Sequence, residues 1–221
     1  FILLGFYSSA QPFQESAVFK TIDQKRYLRF HYDNDFFTKT DYYYTQGILL
    51  EYANPSIKNF LPANLLLTTG VPDARYSIGL NLASYTPTSI SSDSILLGDR
   101  PFAAFISFST NASVTSSEKA RRISSSVTIG LVGPAAQGKE IQTGIHRWLK
   151  NILPHGWQYQ VKNDVILNYN VKYEKKLPGA GEHFLLNATA AASLGTFSDK
   201  LTGGINFMTG NFNDPYKTNL M

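Results

Sequence analysis

The run Arg122-Ile123-Ser124-Ser125-Ser126-Val127-Thr128-Ile129-Gly130-Leu131-Val132, continuing as Gly133-Pro134-Ala135-Ala136-Gln137-Gly138-Lys139-Glu140-Ile141-Gln142-Thr143-Gly144-Ile145-His146-Arg147-Trp148, contains both periodicities from which the chain is built. In the first part Ile123, Val127, Ile129 and Leu131 oppose Arg122, Ser124, Ser126, Thr128 and Gly130. That is the period-two pattern of a strand with one apolar face. Gly133-Pro134 ends the strand and opens a helix. Ile141, Ile145, Trp148 and Leu149 then recur at helical spacing and predict an apolar helix face laid on a sheet. Gln142 and His146, four apart, project together at its margin.

Alternation of the same kind recurs on both sides of this stretch. It predicts strands over about residues 26–35, 45–53, 74–85 and 101–110 before it, and 165–174, 184–195 and 201–209 after it. In the fourth of these both faces are apolar or small, so its facing is ambiguous. Elsewhere one parity is apolar and the other polar or small, which suits a barrel with lipid outside and a polar interior. A soluble sandwich buries its apolar parity too. Strand length separates the two: crossing a bilayer takes ~9–11 residues, against ~5–6 for an average sandwich strand. Tyr27, Tyr42, Tyr43, Tyr44, Tyr52, Tyr85 and Tyr173 near strand ends fit an interfacial belt. The fold expected is all-β, a transmembrane antiparallel β-barrel with about eight strands in this chain and one short amphipathic helix in an extracellular loop.

Composition agrees. Charged residues are 16% of the 221, against roughly 25% in soluble domains, and aromatic residues are 14%. No apolar run reaches the ~18 residues of a membrane helix. The profile fits an outer-membrane barrel and also some secreted β-proteins. The net charge of +4 is scattered over residues such as Lys20, Arg29, Arg75 and Lys172. Without a basic stripe interleaved with aromatics, nucleic acid is not the expected partner; weak attraction to anionic lipid is. With no cysteine, disulfides and thiolate chemistry are absent. Phe1 to Ala10 reads as the end of a secretory signal, a short apolar core followed by small residues; a first strand or plug segment is the other reading. Residues 1–11 are accordingly expected to be a signal remnant and 12–221 a barrel domain incomplete at its C-terminal side.

In an up-and-down barrel, alternating strand direction gathers Asn34, Asp35, Thr45, Asp99, Arg100 and His146 at one rim. No Gly-x-Ser-x-Gly elbow occurs. Asp35 with Asn34 and Thr45 offers hard oxygens suited to Ca²⁺. An imidazole, with an ordinary pKa near neutrality, is a general base for water. Water attack beside a cation that holds the oxyanion is ester hydrolysis.

Four segments resemble one family, the outer-membrane lipid A 3-O-deacylases of LpxR type. They are Asn34-Asp35-Phe36-Phe37 with Asp41-Tyr42-Tyr43-Tyr44-Thr45-Gln46-Gly47; Gly98-Asp99-Arg100-Pro101-Phe102-Ala103-Ala104; Gly130 through Trp148; and Gly156-Trp157-Gln158-Tyr159-Gln160. Their order and spacing match across about residues 27–215. The resemblance implies a twelve-stranded, Ca²⁺-dependent, monomeric barrel of the bacterial outer membrane, so that this chain would lack the last four strands. It implies a site between the barrel wall and a short helix, acting on lipid A of lipopolysaccharide by removing its 3′-linked acyloxyacyl group. On the family pattern His146 activates water, Asp35 supports the calcium, and Asn34 and Thr45 complete the polar surroundings.

Two features depart from that pattern. The family's loop lysine before Gly-Asp-Arg has no counterpart, since residues 86–98 contain no Lys or Arg; Arg100 or Lys139 are the substitutes within reach. Strict alternation also places Asn34 and Asp35 on opposite faces, which calls for a bulge or a turned strand end. The rival expectation is a catalytically inactive outer-membrane barrel serving as a passive pore or structural protein.

Overall fold

The computed structural model describes residues 25–34, 43–67, 74–179 and 183–216. The expected signal remnant and Asp35 lie outside the described residues. Eight strands follow in chain order: β1 (Tyr27–Asn34), β2 (Tyr43–Ala53), β3 (Arg75–Thr86), β4 (Ala103–Ser116), β5 (Arg121–Val132), β6 (Asp164–Lys176), β7 (Phe184–Gly195) and β8 (Lys200–Thr209). Each pairs antiparallel with the next in one meandering sheet, with β1 and β8 at its edges. Among the described residues one α-helix, α1 (Gly138–Leu149), falls between β5 and β6. No helix among the described residues is long and apolar enough to cross a membrane.

The sheet is inside out compared with a soluble one. Leu28, Phe30, Tyr32, Leu50, Tyr52, Leu80, Ile129, Val165 and Leu167, all on one parity, are exposed. The opposite, polar parity is covered, with Glu51, Ser77, Asn111, Ser113, Ser124, Ser126, Thr128 and Asn168 buried. A soluble sandwich does the reverse, so water is not the solvent of the apolar face. Inside, polar groups face one another. The Glu51 carboxylate accepts from Tyr27 Oη (3.1 Å) and Ser77 Oγ (2.8 Å) and faces Arg29 at 3.6 Å. Arg122 lies 3.6 Å and Lys172 3.5 Å from Glu174. Near one end of the interior Tyr44, Tyr85, Phe105 and Phe197 form an aromatic column, each ring against the next. Tyr27, Tyr44 and Tyr85 therefore face inward and do not belong to an interfacial belt, which Tyr52 and Tyr173 fit by their parity. The fourth strand runs on to Ser116, beyond the residue-110 limit read from the sequence.

Two chain segments fold back over the outer face. Residues 54–67 cross it near the end where β2 leaves the sheet. At the opposite end the β3–β4 and β5–β6 connections build a small external core, in which Phe102, Ala104, Ala136 and Trp157 are buried and Ile90 and Ile106 pack against them. The two connections are joined by His155 N–H donating to the Ile90 carbonyl (2.7 Å) and Val161 N–H to the Phe102 carbonyl (2.9 Å). Asp99 closes the β3–β4 loop. Its Oδ2 accepts from Thr88 Oγ1 (2.6 Å) and Thr88 N–H (2.7 Å), and its Oδ1 from Arg100 N–H (2.8 Å).

The hydrogen bonds from Thr88 hold the Asp99 carboxyl below its ordinary pKa of 3.8. Because the folded value is the lower one, the clamp contributes fully above that ordinary value and is lost as pH falls through the folded one. Protection of the Thr88 amide from hydrogen exchange, corrected for intrinsic pH dependence, is expected to fall on acidification below about pH 4. In Asp99→Asn that step is expected to vanish.

Candidate functional site

The polar exception on the apolar face starts with a bulge. Tyr44 pairs with Tyr85 and Gln46 pairs with Ser84, leaving Thr45 as an extra residue in β2. Two residues on the bulged strand then share one face. The Thr45 hydroxyl lies 3.0 Å from that of Thr86, two residues along β3 from Ser84, so Thr45 and Gln46 both turn outward. Asn34 is directly opposite Gln46 on β1, and Ala104 directly opposite Ser84 on β4. Asn34, Gln46, Ser84 and Ala104 thus form a row across four strands on the outer face, with Thr45 and Thr86 beside it. For Asn34 the facing resolves: it lies on the outward parity, opposite Gln46, and a bulge sits in β2.

Helix α1 is laid against this row. A Cβ on Gly138 would run into the Ala104 methyl, with Trp157 Cη2 at 2.8 Å and Ser84 Oγ at 3.2 Å. Only a glycine lets the helix come so near the wall. The stripe that α1 buries is Gly138, Gln142 and His146, spaced by four. This corrects the sequence expectation, which laid Ile141, Ile145, Trp148 and Leu149 on the sheet. Trp148 is 82% exposed, and Leu149, Ile152 and Leu153 are exposed with it. Where the surrounding medium is lipid, the apolar side of a helix turns outward and its polar side seeks protein.

His146 is almost fully buried, and its Nδ1 is hydrogen-bonded to the Ile152 carbonyl at 2.5 Å. A carbonyl only accepts, so Nδ1 carries the proton and Nε2 is the basic nitrogen of the neutral ring. Gln142 Oε1 accepts from Trp157 Nε1 at 2.8 Å, which fixes the amide so that its NH₂ group is left over. Gln142 Nε2, Gln46 Nε2 and Ser84 Oγ are buried with no hydrogen-bond partner among the described residues. A buried donor without a partner is costly, and three of them near one seam mark a place for an oxygen-bearing ligand. Gln46, Ser84 and Gln142 were not read as site residues from the sequence. Only the four-residue spacing of Gln142 and His146 hinted at one of them.

Of the expected residues, Asn34 is in the outer row with Thr45 beside it, and His146 is on the buried stripe of α1, whose Gly138 end is the part set against that row. His146 lies eight positions on from Gly138, about 12 Å along the helix axis. Asp35 lies outside the described residues. Asp99 serves the loop clamp, and the Arg100 guanidinium lies over the Tyr43 ring at 4.3 Å. Lys139 is exposed. As to a cation, the described residues supply neutral hard oxygens, the Thr45 and Thr86 hydroxyls and the Asn34 amide, which suit calcium chemically. No group of three His, Cys, Asp or Glu side chains placed to hold a metal occurs among the described residues.

Comparison with known proteins gives the same architecture. A family model described as outer membrane protein LpxR matches residues 1–220. Among solved structures, LpxR from Salmonella typhimurium superposes with a TM-score of 0.57 at 21% sequence identity, covering 74% of this chain and 51% of that one. The chain thus spans about half the length of that relative. No curated protein matches. An antiparallel wall with an exposed apolar face, a helix laid on its outside and a family match over nearly the whole sequence agree: this chain belongs to the LpxR family of outer-membrane proteins.

Proposed function

We propose that the protein is a lipid A deacylase, hydrolysing the 3′-acyloxyacyl ester of lipid A in the outer membrane. The observation that carries this reading is the buried imidazole of His146, set on a helix that lies against the lipid-facing side of the wall. An ester hydrolase for a membrane lipid needs a proton acceptor where acyl chains already are. His146 Nε2 takes a proton from water as the water oxygen attacks the ester carbonyl carbon, and returns it to the departing sugar hydroxyl. The Ile152 carbonyl holds the Nδ1 proton and so stabilises the ring in both states. The Gln46 and Gln142 amides and the Ser84 hydroxyl are donors for the carbonyl oxygen or its neighbours as charge develops.

Asp35, with Asn34 and Thr45, is the proposed calcium site. Calcium held by these residues would supply positive charge to the ester undergoing hydrolysis. A second reading, a passive barrel, draws on the absence of any Lys or Arg in residues 86–98, where the family pattern has its lysine. The neutral donors at the seam offer a replacement for that role.

His146→Ala is expected to abolish acyl release while the barrel still assembles and shows its heat-dependent gel mobility; unchanged lipid A mass spectra between cells with and without the wild-type protein would favour the passive barrel instead. Gln142→Leu is expected to lower kcat about a hundredfold with little change in KM, measured on lipid A in detergent micelles. Chelation of calcium is expected to stop turnover reversibly. Asp35→Ala and Thr45→Ala are expected to raise the calcium concentration needed for half-maximal rate.

A further inference from the structure

The connection from β2 to β3 has no part in the site, and its path is unusual. From Asn54 the chain turns back over the outer face through two 3-10 turns, Pro55–Asn59 and Leu61–Leu65. Phe60 sets its ring edge against Phe108 (centroids 6.3 Å apart), and Ala63 and Leu66 bury against Ala112, flanked by Tyr76 and Val127. Leu67 N–H donates to Ser125 Oγ (2.9 Å), and Tyr169 Oη donates to the Leu65 carbonyl (2.8 Å). All these wall residues lie on the outward, apolar parity. The segment therefore crosses β3 to β6 on the side that faces lipid.

Much of its backbone is paired within the protein, as a lipid contact favours. The amides of Ile57, Phe60, Ala63 and Leu66 donate to the carbonyls of Asn54, Ile57, Phe60 and Ala63, three residues back in each case. Ser56 N–H bonds Asn54 Oδ1, and the Asn54 amide bonds the Tyr76 carbonyl. Pro55 and Pro62 have no N–H to satisfy. A loop in water has no need of such closure, whereas one in lipid must close its polar backbone within the protein.

Level and charge point to the membrane boundary. Ala112 lies four residues from the end of β4 at Ser116, about 10 Å along the membrane normal at the usual rise and tilt. β4, β5 and β6 have 14, 12 and 13 residues, more than the ~9–11 of one crossing. Their ends thus overhang the hydrocarbon, and the segment sits where it stops. Leu65 is exposed at 63%, Leu67 is exposed beside it, Phe60 keeps part of its ring exposed outside its contact with Phe108, and Lys58 is exposed on the same segment. Toward the strand ends Arg121 and Lys175 sit opposite each other on the outward parity. Apolar side chains bordered by cations match a phospholipid surface, with acyl chains on one side and phosphates on the other.

We propose that residues 54–67 form a lipid-binding collar in the headgroup–acyl boundary of the leaflet opposite α1, with Phe60, Leu65 and Leu67 in the acyl region and Lys58, Arg121 and Lys175 at the phosphates. The collar is independent of the catalytic reading. The chain has no cysteine, so single nitroxide labels can be placed on the otherwise intact protein. Labels at Leu65→Cys and, separately, Leu67→Cys are compared with one at Lys119→Cys in the β4–β5 turn, after reconstitution in vesicles of phosphatidylethanolamine with phosphatidylglycerol. The ratio of oxygen to nickel-chelate accessibility is expected to be several-fold higher at 65 and 67 than at 119. A ratio equal to that at 119 would place the segment in water and overturn the collar. Protection from both reagents would mean protein contact in place of lipid, and overturn it equally. Native gel mobility of each labelled variant shows that it has assembled, and the two positions report independently.

Discussion

Lipid offers no hydrogen bonds, and this sets the rest of the structure. Every strand must give its amides and carbonyls to neighbours, and every charged or hydroxylated side chain must turn away from the membrane. Between its two edges, and apart from the polar row and the strand ends, the sheet does both. Glu51, Arg122 and Glu174 meet their partners on the covered face, while leucines, phenylalanines and tyrosines populate the bare one. Covering of the polar parity is what separates this wall from a secreted β-sandwich with similar composition.

Against that rule, the polar row on the outer face is an expensive feature and needs its own shelter. The shelter is α1 with the external core beneath it. Trp157 is central to both, since its ring fills the space against Phe102 and beside Gly138 while its indole N–H fixes Gln142. A bulge in β2 turns Thr45 outward where strict alternation turns it inward. Small residues, Gly138 and Ala104, set the separation of helix and wall. The site is thus produced by local departures from regular sheet geometry, each with an identifiable residue behind it.

Much of the fold could be read from period-two alternation, because a wall between lipid and a polar interior imposes it on every strand. β7 matches its reading end for end, and most other strands shift by one or two residues. β4 was ambiguous for a physical reason: Ala104 and Ala112 are small where external segments pack, and Phe105 joins the interior column. The helix was legible but its facing was not, since the habit of turning apolar residues toward protein reverses when the medium is lipid. The bulge at Thr45 carries no glycine or proline to announce it. Residues 54–67 left no periodic trace, because 3-10 turns of five residues are too short to show one. That Asn34 and Thr45 lie at one end of the wall, and that His146 sits on the helix after β5, was legible through topology and resemblance. Gln46 and Ser84 emerge only from pairing across strands.

The seam between α1 and the wall has a consequence for how anything reaches it. The helix lies on the outer, lipid-covered face of the wall, and Trp148, Leu149, Ile152 and Leu153 stand exposed on it and on the loop that follows. For the reaction proposed above, an amphiphile already resident in the leaflet would arrive by two-dimensional diffusion, without leaving its neighbours or being extracted into solvent. Encounter then depends on surface density and membrane fluidity, not on concentration in bulk, and a water-soluble molecule of the same chemistry would have no comparable route in.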